Sequence, residues 1–457
     1  TYDKNKNHYN IEVMLDLEVQ PERGLFCPKQ NWELILGMPL HQAINILRQA
    51  DSDVRSVQLW YSDRLPLLMD IVLSLTQDGV KLIFDATYQR LKSIEVFDLT
   101  KLRLSYCNQS FNSPPGVAPT VTTIQQCFGA THPAVHDPER DADVLSFRGV
   151  SFTFPRTESS STRSTIDDGS GSFSYYATFE ESDEVPCLVP SASAGGPSVQ
   201  ANAMFIFLGN SLSEPRLPQQ MPLDCYQTDK IYLERARIDR SASPAGGCGS
   251  QQTREIVFQL YCLEPPATAS GSGQCTLQRC DFERRLRFGD SVQDVESSLG
   301  SPSQVFYKSE DKMRIHARDP ARRRPRTKRS DYIYNYFTMG VDLLFDGLSH
   351  SLVKAILHAN FPGHYNFSTY YRCFFDLTVQ QESGQQPLEV NQFTRWEEIS
   401  DCLGKQSDRP VVLNRHDSTN TVNPFGPTYC YGHEDLIFEV IPCNGQLASL
   451  TVYQNAG

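Results

Sequence analysis

Two segments far apart in this chain have nearly the same sequence, and they constrain its fold more than any other feature. GVKLIFD at 79–85 and GVDLLFD at 340–346 differ at two positions. Their apolar residues alternate with more variable ones, which is the period of a β-strand. Looser copies occur at 149–154 and 434–439. The sequence therefore predicts one structural unit that is present four times.

A second predicted strand follows each copy after a short connection that suits a hairpin. These strands are LKSIEV at 91–96, AMFIFL at 203–208, LVKAIL at 352–357 and LASLTV at 447–452. In the first and third copies an extra strand precedes the glycine, SVQLWY at 56–61 and SQVFYK at 303–308.

A short amphipathic helix is predicted before each group of strands. The four segments have apolar residues at i, i+3 and i+7, and they lie at 36–47, 121–129, 288–300 and 394–404. Such a helix buries one apolar stripe against a sheet. In the third segment Asp290 or Ser291 is the predicted cap, and Gly300 ends the helix.

The predicted fold class is α+β, with repeated helix-plus-antiparallel-sheet units in two related halves. Each unit is predicted to be αβββ-like, a helix followed by three antiparallel strands. The order of helix, glycine strand and closing strand is the same in all four places, which favours duplication over coincidence. Residues 1–210 and 280–457 are the predicted halves.

The predicted organisation has four regions. They are a flexible N-terminal extension at 1–13, an N-terminal half at 14–210 with a low-complexity insert at 156–200, connecting strands and a flexible linker at 211–280, and a C-terminal half at 281–457 with a basic loop at 317–330. Ser, Gly and acidic residues dominate the insert, so it cannot bury enough apolar surface to order itself. Strands at 229–238 and 253–262 are predicted to link the halves.

Composition excludes several classes of protein. The net charge is -12, from 42 basic and 54 acidic residues, so nucleic acid is not an expected partner. The 13 cysteines are odd in number and scattered, which indicates no disulfide framework and favours a cytoplasmic location. No apolar run reaches about 18 residues, so no membrane span is predicted.

No catalytic, cofactor or metal residues are predicted. Cys127, His132 and His136 are the nearest approach to a metal site, but zinc needs about four ligands. The glycine-rich segments lack the P-loop lysine, and no GxSxG elbow occurs. We therefore expect no enzyme, and a hydrolase or redox enzyme with an unfamiliar site is the alternative.

Two segments are candidates for contact with a partner. The basic loop is a candidate for lipid or partner contact through Arg322, Arg323, Arg324, Arg326, Lys328 and Arg329. It could bind a phosphoinositide or RNA, act as an import signal or simply be solvated. The turn NFPGHYNF at 360–367 is a candidate aromatic partner site through Phe361, His364, Tyr365 and Phe367. Packing of this turn on its own domain is the alternative.

Several long and unusual segments occur in order across most of the chain. They include MLDLEV (14–19), LTQDGVKLIFDA (75–86), FGATHP (128–133), FGDSVQDVESSLGSPSQVFYKSEDKMRIH (288–316), DYIYNYFTMGVDLLFD (331–346), FPGHYNF (361–367) and NPFGPTYCYG (423–432). On these segments the chain resembles the phagosome assembly factor 1 family.

The resemblance implies a non-enzymatic regulator or scaffold of autophagy. It implies a complex with the breast carcinoma amplified sequence protein, a WD-repeat β-propeller, and a cytoplasmic location with recruitment to the phagophore, the preautophagosomal structure. The resemblance also implies that the propeller partner, and not this chain, binds phosphoinositides. An indirect or weak membrane contact is therefore expected for this chain. Direct binding of anionic phosphoinositides through 317–330 is the alternative, and it comes from the residues and not from the family.

Overall fold

The structure is a computed structural model of the chain. It describes residues 14–50, 54, 56–112, 116–155, 199–222, 225, 231–242, 251–264, 278–308, 330–380, 387–403, 409–414 and 425–454. The N-terminal extension at 1–13, all but the last two residues of the insert and the basic loop at 317–329 lie outside the described residues.

The first half contains a sheet of five strands and a sheet of eight strands. Its elements are β1 (Leu15–Gln20), β2 (Gly24–Cys27), β3 (Trp32–Ile35), α1 (Leu40–Gln49), β4 (Val57–Trp60), β5 (Ile71–Leu75), β6 (Val80–Phe84), β7 (Leu91–Val96), β8 (Leu102–Tyr106), β9 (Gln109–Ser110), α2 (Val121–Phe128), β10 (Val135–Asp137), β11 (Ala142–Phe147), β12 (Val150–Pro155) and β13 (Ala203–Phe207). The strand orders are β3-β2-β1-β8-β9 and β10-β11-β12-β13-β7-β6-β5-β4.

The second half repeats this arrangement. Its elements are β14 (Ile231–Ala242), β15 (Gln251–Glu264), β16 (Gln278–Leu286), α3 (Val292–Leu299), β17 (Gln304–Tyr307), β18 (Tyr332–Tyr336), β19 (Val341–Phe345), β20 (Leu352–His358), β21 (Phe375–Val379), β22 (Leu388–Asn391), α4 (Trp396–Leu403), β23 (Val411–Leu413), β24 (Thr428–His433), β25 (Leu436–Val440) and β26 (Leu447–Tyr453). The orders are β16-β15-β14-β21-β22 and β17-β18-β19-β20-β26-β25-β24-β23.

Each eight-stranded sheet consists of two units side by side, which confirms the α+β class and the two related halves. The units meet where β7 pairs with β13 and where β20 pairs with β26. Each unit has a helix and four strands, so the predicted three-strand unit is one strand short. In the first and third units the unexpected strands are β5 and β18, and they lie between the predicted extra strand and the glycine strand. Their sequences, IVLSL and YIYNY, lack a clean alternation of apolar and polar residues.

The four units share one backbone contact that the sequence pattern does not reveal. The residue before each helix forms an antiparallel bridge with a residue just before the last strand of the unit. The four pairs are Pro39 with Arg90, Thr120 with Gln200, Ser291 with Ser351, and Arg395 with Gln446. This bridge fixes the start of each helix against its own sheet.

The repeated glycine strands begin at a turn that requires glycine. Gly79 and Gly340 have φ values of +73° and +68°, a region that residues with a Cβ rarely adopt. A Cβ at Gly340 would lie 2.3 Å from the carbonyl oxygen of Tyr371. The glycine at the start of both segments therefore follows from a shared backbone geometry.

The hydrogen bonds at the start of the third helix show which of Asp290 and Ser291 is its cap. Ser291 is the cap of α3, because its hydroxyl accepts the Asp294 amide at 3.2 Å while the Asp294 carboxylate accepts the Ser291 amide. Asp290 instead accepts the amide of Arg287. Thr120 and Thr123 form the same reciprocal cap at α2.

The strands predicted to link the halves belong instead to the smaller sheet of the second half. Residues 229–238 and 253–262 overlap β14 and β15, and β14 pairs in parallel with β21. The smaller sheet of the first half has a corresponding parallel pair, β1 with β8. The pattern search missed these sheets because their parallel neighbours are far apart in sequence.

Each half has a core between its large sheet, its small sheet and its helices. The first core includes Leu17, Ile124 and Leu82, and the second includes Phe258, Val295 and Leu343. Each named side chain is at most 2% exposed. Both helices of a half therefore bury their apolar stripes as the spacing predicts.

The two halves are joined by buried polar contacts. The Gln89 side-chain amide donates to the carbonyl oxygen of Asn360 at 2.6 Å, and the Asn360 amide donates to Gln89 Oε1 at 2.8 Å. Arg372 donates through Nη1 to the carbonyl oxygens of Ala86 and Thr87. These contacts cross from the second half to the β6–β7 hairpin of the first.

Candidate functional site

The outer face of the second large sheet, the face turned away from the core, forms an open groove of about 970 Å³. All eight strands contribute side chains to its lining. In β20, Ala355 and Leu357 point into the core, whereas Lys354, Ile356 and His358 line the groove. This division follows from the two-residue period of a strand. We call this surface the sheet groove.

The strand register arranges the residues of this face in rows across the sheet. One row joins β17 to β26 and consists of Phe306, Ile333, Leu344, Lys354 and Tyr453. We call it the lysine row. The neighbouring row consists of Gln304, Asn335, Asp342, Ile356, Thr451, Ile437 and Gly432.

A buried polar cluster closes one part of the groove. The Asp342 carboxylate accepts hydrogen bonds from Asn335 Nδ2 at 2.7 Å and from the Tyr370 hydroxyl at 2.8 Å, and its Oδ2 lies 2.9 Å from His358 Nε2. The rings of His358 and Tyr370 stack with centroids 3.9 Å apart. The four side chains form one hydrogen-bonded network. Because Tyr370 belongs to the segment after β20, the network attaches that segment to the sheet.

A second buried carboxylate fastens the neighbouring part of that segment. Glu439 Oε1 accepts the Thr428 hydroxyl at 2.7 Å and lies 3.3 Å from His364 Nε2, and Glu439 Oε2 accepts the Ser449 hydroxyl at 2.7 Å. These four polar residues are at most 6% exposed. The cluster thus satisfies the carboxylate as a buried charge requires.

The aromatic turn predicted to meet a partner lies mostly inside the protein. Phe361, His364 and Phe367 are 0%, 3% and 2% exposed, and only Tyr365 of the four is exposed, at 51%. Phe367 contacts Tyr61 of the first half with ring centroids 6.0 Å apart. The turn therefore packs on its own chain, as the alternative interpretation of this segment predicts. Tyr365 is its one member available to a partner, and it lines the sheet groove.

Lys354 supplies positive charge to the groove. Burial lowers the pKa of its ammonium group, and the nearby Lys308 lowers that pKa further. Its Nζ lies 5.6 Å from the centroid of the Tyr453 ring. Within the described residues no carboxylate forms an ion pair with Lys354. The sequence search missed Lys354 because a lone lysine in a strand resembles any solvated residue.

The six basic candidates, Arg322, Arg323, Arg324, Arg326, Lys328 and Arg329, lie outside the described residues. The strands that precede and follow their segment, β17 and β18, are neighbours at the edge of the sheet groove. The amide of Lys308 donates to the carbonyl oxygen of Asp331 at 3.0 Å, which fixes the two points between which the segment runs.

The part of the chain that the structure describes contains neither a metal-site cluster nor a membrane-spanning helix. There, no group of three or more His, Cys, Asp or Glu side chains has the arrangement of a metal site. The same residues include no helix with the length and apolar character needed to cross a bilayer.

Comparison with known families decides where this chain belongs. The family model described as phagosome assembly factor 1 matches residues 30–453. The chain belongs to the phagosome assembly factor 1 family. The resemblance expected from the motifs is therefore confirmed.

Other members of the phagosome assembly factor 1 family are similar along nearly their whole length. A PHAF1 protein of Drosophila melanogaster is 41% identical over 97% of this chain and 95% of its own. A PHAF1 protein of Caenorhabditis elegans is 30% identical over 96% and 94%, and one of Arabidopsis thaliana is 30% identical over 92% and 90%. No solved structure matches the chain. The family name indicates a role in phagosome assembly and autophagy.

Proposed function

We propose that this chain is a non-enzymatic scaffold of autophagy that binds a WD-repeat β-propeller of the breast carcinoma amplified sequence type. The complex is then recruited from the cytoplasm to the phagophore. Membership of the phagosome assembly factor 1 family supports the autophagy role. The partner and the recruitment come from the family resemblance.

One structural observation carries the proposal that the chain acts by binding. The sheet groove extends across eight strands, and the two carboxylates in its floor are occupied by hydrogen bonds within the protein. A broad surface with exposed aromatic residues at its rim, including Phe306 at 51% and Tyr365 at 51%, is typical of a protein interface. The floor histidines and carboxylates serve to hold the segment over the sheet.

Binding of the purified full chain to the purified propeller protein tests the proposal. We expect co-elution in size-exclusion chromatography and saturable binding in calorimetry. Absence of binding at micromolar concentrations of both proteins would contradict the proposed complex. A measured turnover of any substrate by the chain alone would contradict the non-enzymatic role.

Direct binding of anionic phosphoinositides through the basic loop at 317–330 is the second candidate. The observation that favours it is that the described residues on either side of the loop belong to β17 and β18, which are neighbours at one edge of the groove. At about 1 kcal/mol per basic residue near an anionic leaflet, six charges would give attachment that weakens with salt. Flotation with phosphoinositide vesicles tests this. Replacement of the six basic residues by glutamine should abolish flotation, and unchanged flotation would rule the loop out.

A further inference from the structure

The two large sheets carry different charges on their outer faces. By strand register Lys81 of β6 corresponds to Asp342 of β19, and Glu95 of β7 corresponds to Ile356 of β20. In the first sheet Lys81 Nζ lies 3.2 Å from Glu95 Oε2, so the lysine on that face has its own counter-charge. In the second sheet the lysine is Lys354, and no described carboxylate pairs with it.

The first outer face is also partly covered by its own chain. Phe205 and Phe207 of β13 are 8% and 0% exposed because they pack with Val144 and Leu212. Leu212 belongs to a segment held to the end of the sheet by the bridge between Leu208 and Arg216. The first half therefore buries apolar side chains on its outer face without a partner.

Apart from Leu344, which is 8% exposed, the lysine row of the second sheet is not buried by the residues that the structure describes. Phe306 at its edge is 51% exposed, and Ile333, Lys354 and Tyr453 are partly exposed. The segment between β20 and β21 covers the neighbouring side of the groove, where Asp342 and Glu439 lie. What remains is a strip of aromatic and aliphatic surface with one half-buried ammonium group.

We propose that the lysine row is the docking site for an extended segment of the propeller partner that carries an aspartate or glutamate between bulky apolar side chains. The inference rests on the proposed function and names the chemistry of its contact. The acidic side chain pairs with Lys354, and the apolar side chains lie on Phe306, Ile333 and Tyr453. A carboxylate fits because Lys354 is the groove charge that lacks a counter-charge among the described residues, and Lys308 adds positive potential beside it.

The other charges of the groove explain why the segment should be acidic and not basic. Both floor carboxylates are saturated by hydrogen bonds from Asn335, Tyr370, Thr428 and Ser449 and by histidine contacts. Their oxygens are therefore poorly available to pair with a cation on the partner. A cation over the lysine row would meet the half-buried Lys354 at reduced dielectric, where repulsion is stronger than in water, and the exposed Lys308 beside it.

Site-specific photo-crosslinking of the full chain with the purified propeller tests the location. Phe306→p-benzoylphenylalanine places a crosslinker on the lysine row, and Trp60→p-benzoylphenylalanine is the matched control. Trp60 is the register equivalent of Phe306 on the first sheet and is 62% exposed. We expect crosslinks from position 306, mapped by mass spectrometry to a partner segment with an acidic residue beside apolar ones, and none from position 60.

Calorimetric titration of the propeller into charge variants tests the chemistry. We expect Lys354→Glu to weaken binding at least tenfold and Lys354→Gln about threefold, whereas the exposed Arg284→Glu, with the same change in net charge, leaves it within twofold. Thermal melting establishes that each variant is folded.

The outcomes separate this inference from the proposed function. A complex that forms normally but crosslinks only from position 60, only to a basic partner segment, or only to a second copy of this chain would overturn the docking site and leave the complex intact. Unchanged affinity in folded Lys354→Glu would also overturn it. Failure of every variant and the unaltered chain to bind the propeller would overturn the proposed function itself.

Discussion

At the scale of single residues, Arg372 is one of the two most buried charged residues in the part of the chain that the structure describes. Its side chain is 1% exposed, and its Nε donates to the carbonyl oxygen of Ala359 at 2.8 Å. The guanidinium lies 4.6 Å from the ring centroid of Phe361, and burial lowers its pKa to about 10. Carbonyl oxygens of both halves, and not a carboxylate, hold this charge.

We expect Arg372→Ala to lower the free energy of unfolding by about 3 kcal/mol, because it leaves a cavity and three buried carbonyl oxygens without donors. Arg372→Lys should lose a similar amount, since an ammonium group cannot reproduce the planar fork. Urea titration followed by fluorescence measures both. The exposed Arg48→Ala is the control, and equal stability of Arg372→Ala and Arg48→Ala would contradict this role.

His41 on α1 should make stability depend on pH. Its side chain is buried, and burial lowers its pKa from 6.5 to about 4. The unfolded chain therefore binds a proton as the pH falls through 6.5, while the folded chain stays neutral until about 4. Stability from this group is present above pH 6.5 and is lost as the pH falls toward 4, by about 3 kcal/mol at the lower limit.

Melting temperatures between pH 7 and pH 4.5 test this expectation. His41→Phe should flatten the decline relative to the unaltered chain, because the replacement has no proton to bind. The partly exposed His433→Phe is the control. An equally steep decline in His41→Phe would show that other groups cause it.

At the scale of elements, the register of β15 and β16 brings two cysteines together. Cys262 is directly opposite Cys280, and its Sγ lies 3.9 Å from the carbonyl oxygen of Cys280. Directly opposite residues of antiparallel strands have Cα atoms within the range that a disulfide spans. The two strands therefore hold a dithiol that an oxidant can close.

We expect diamide, a two-electron thiol oxidant, to join Cys262 and Cys280 while both thiols lose their protons. Non-reducing peptide mapping should recover the linked pair, and Cys280→Ser should abolish it. Cys373 is 0% exposed and should stay reduced, since burial raises its pKa. Linkage of Cys262 to any other cysteine in the unaltered folded chain would contradict the register.

The sequence predicted those elements whose signal is local. The helix at 292–299 and the strands at 80–84 and 341–345 each have their periodicity and their glycine within a dozen residues. The small sheets were missed because β1 meets β8, and β14 meets β21, only through contacts distant in sequence. The sheet groove was missed for the same reason, since Phe306 and Tyr453 share one row only through the pairing order β17-β18-β19-β20-β26.

At the scale of the whole molecule, the contacts between halves are specific enough to fix their arrangement. Leu67 of the first half packs against the second core, and Asn444 Nδ2 donates to the carbonyl oxygen of Asp63 at 2.9 Å. The reciprocal amide pair of Gln89 and Asn360 is buried between them. The halves should therefore unfold together.

A double-mutant cycle of Gln89→Ala and Asn360→Ala measures this coupling. We expect an interaction free energy of about 1–3 kcal/mol, because the two amides satisfy each other in a buried site. Lys92→Ala with Asn360→Ala is a control cycle, since Lys92 pairs instead with Asp70. Additive losses for Gln89 and Asn360 would contradict the arrangement of the halves.

The pairing of β7 with β13 has a consequence for shortened forms of this protein. Both strands are closing strands of their units, and each supplies the hydrogen-bonding neighbour that the other needs. A product that stopped after the first unit would expose the backbone amides of β7 beside an apolar core, a template for uncontrolled strand addition. Such fragments should precipitate or require a chaperone. Natural truncations are therefore expected to keep each half either complete or absent.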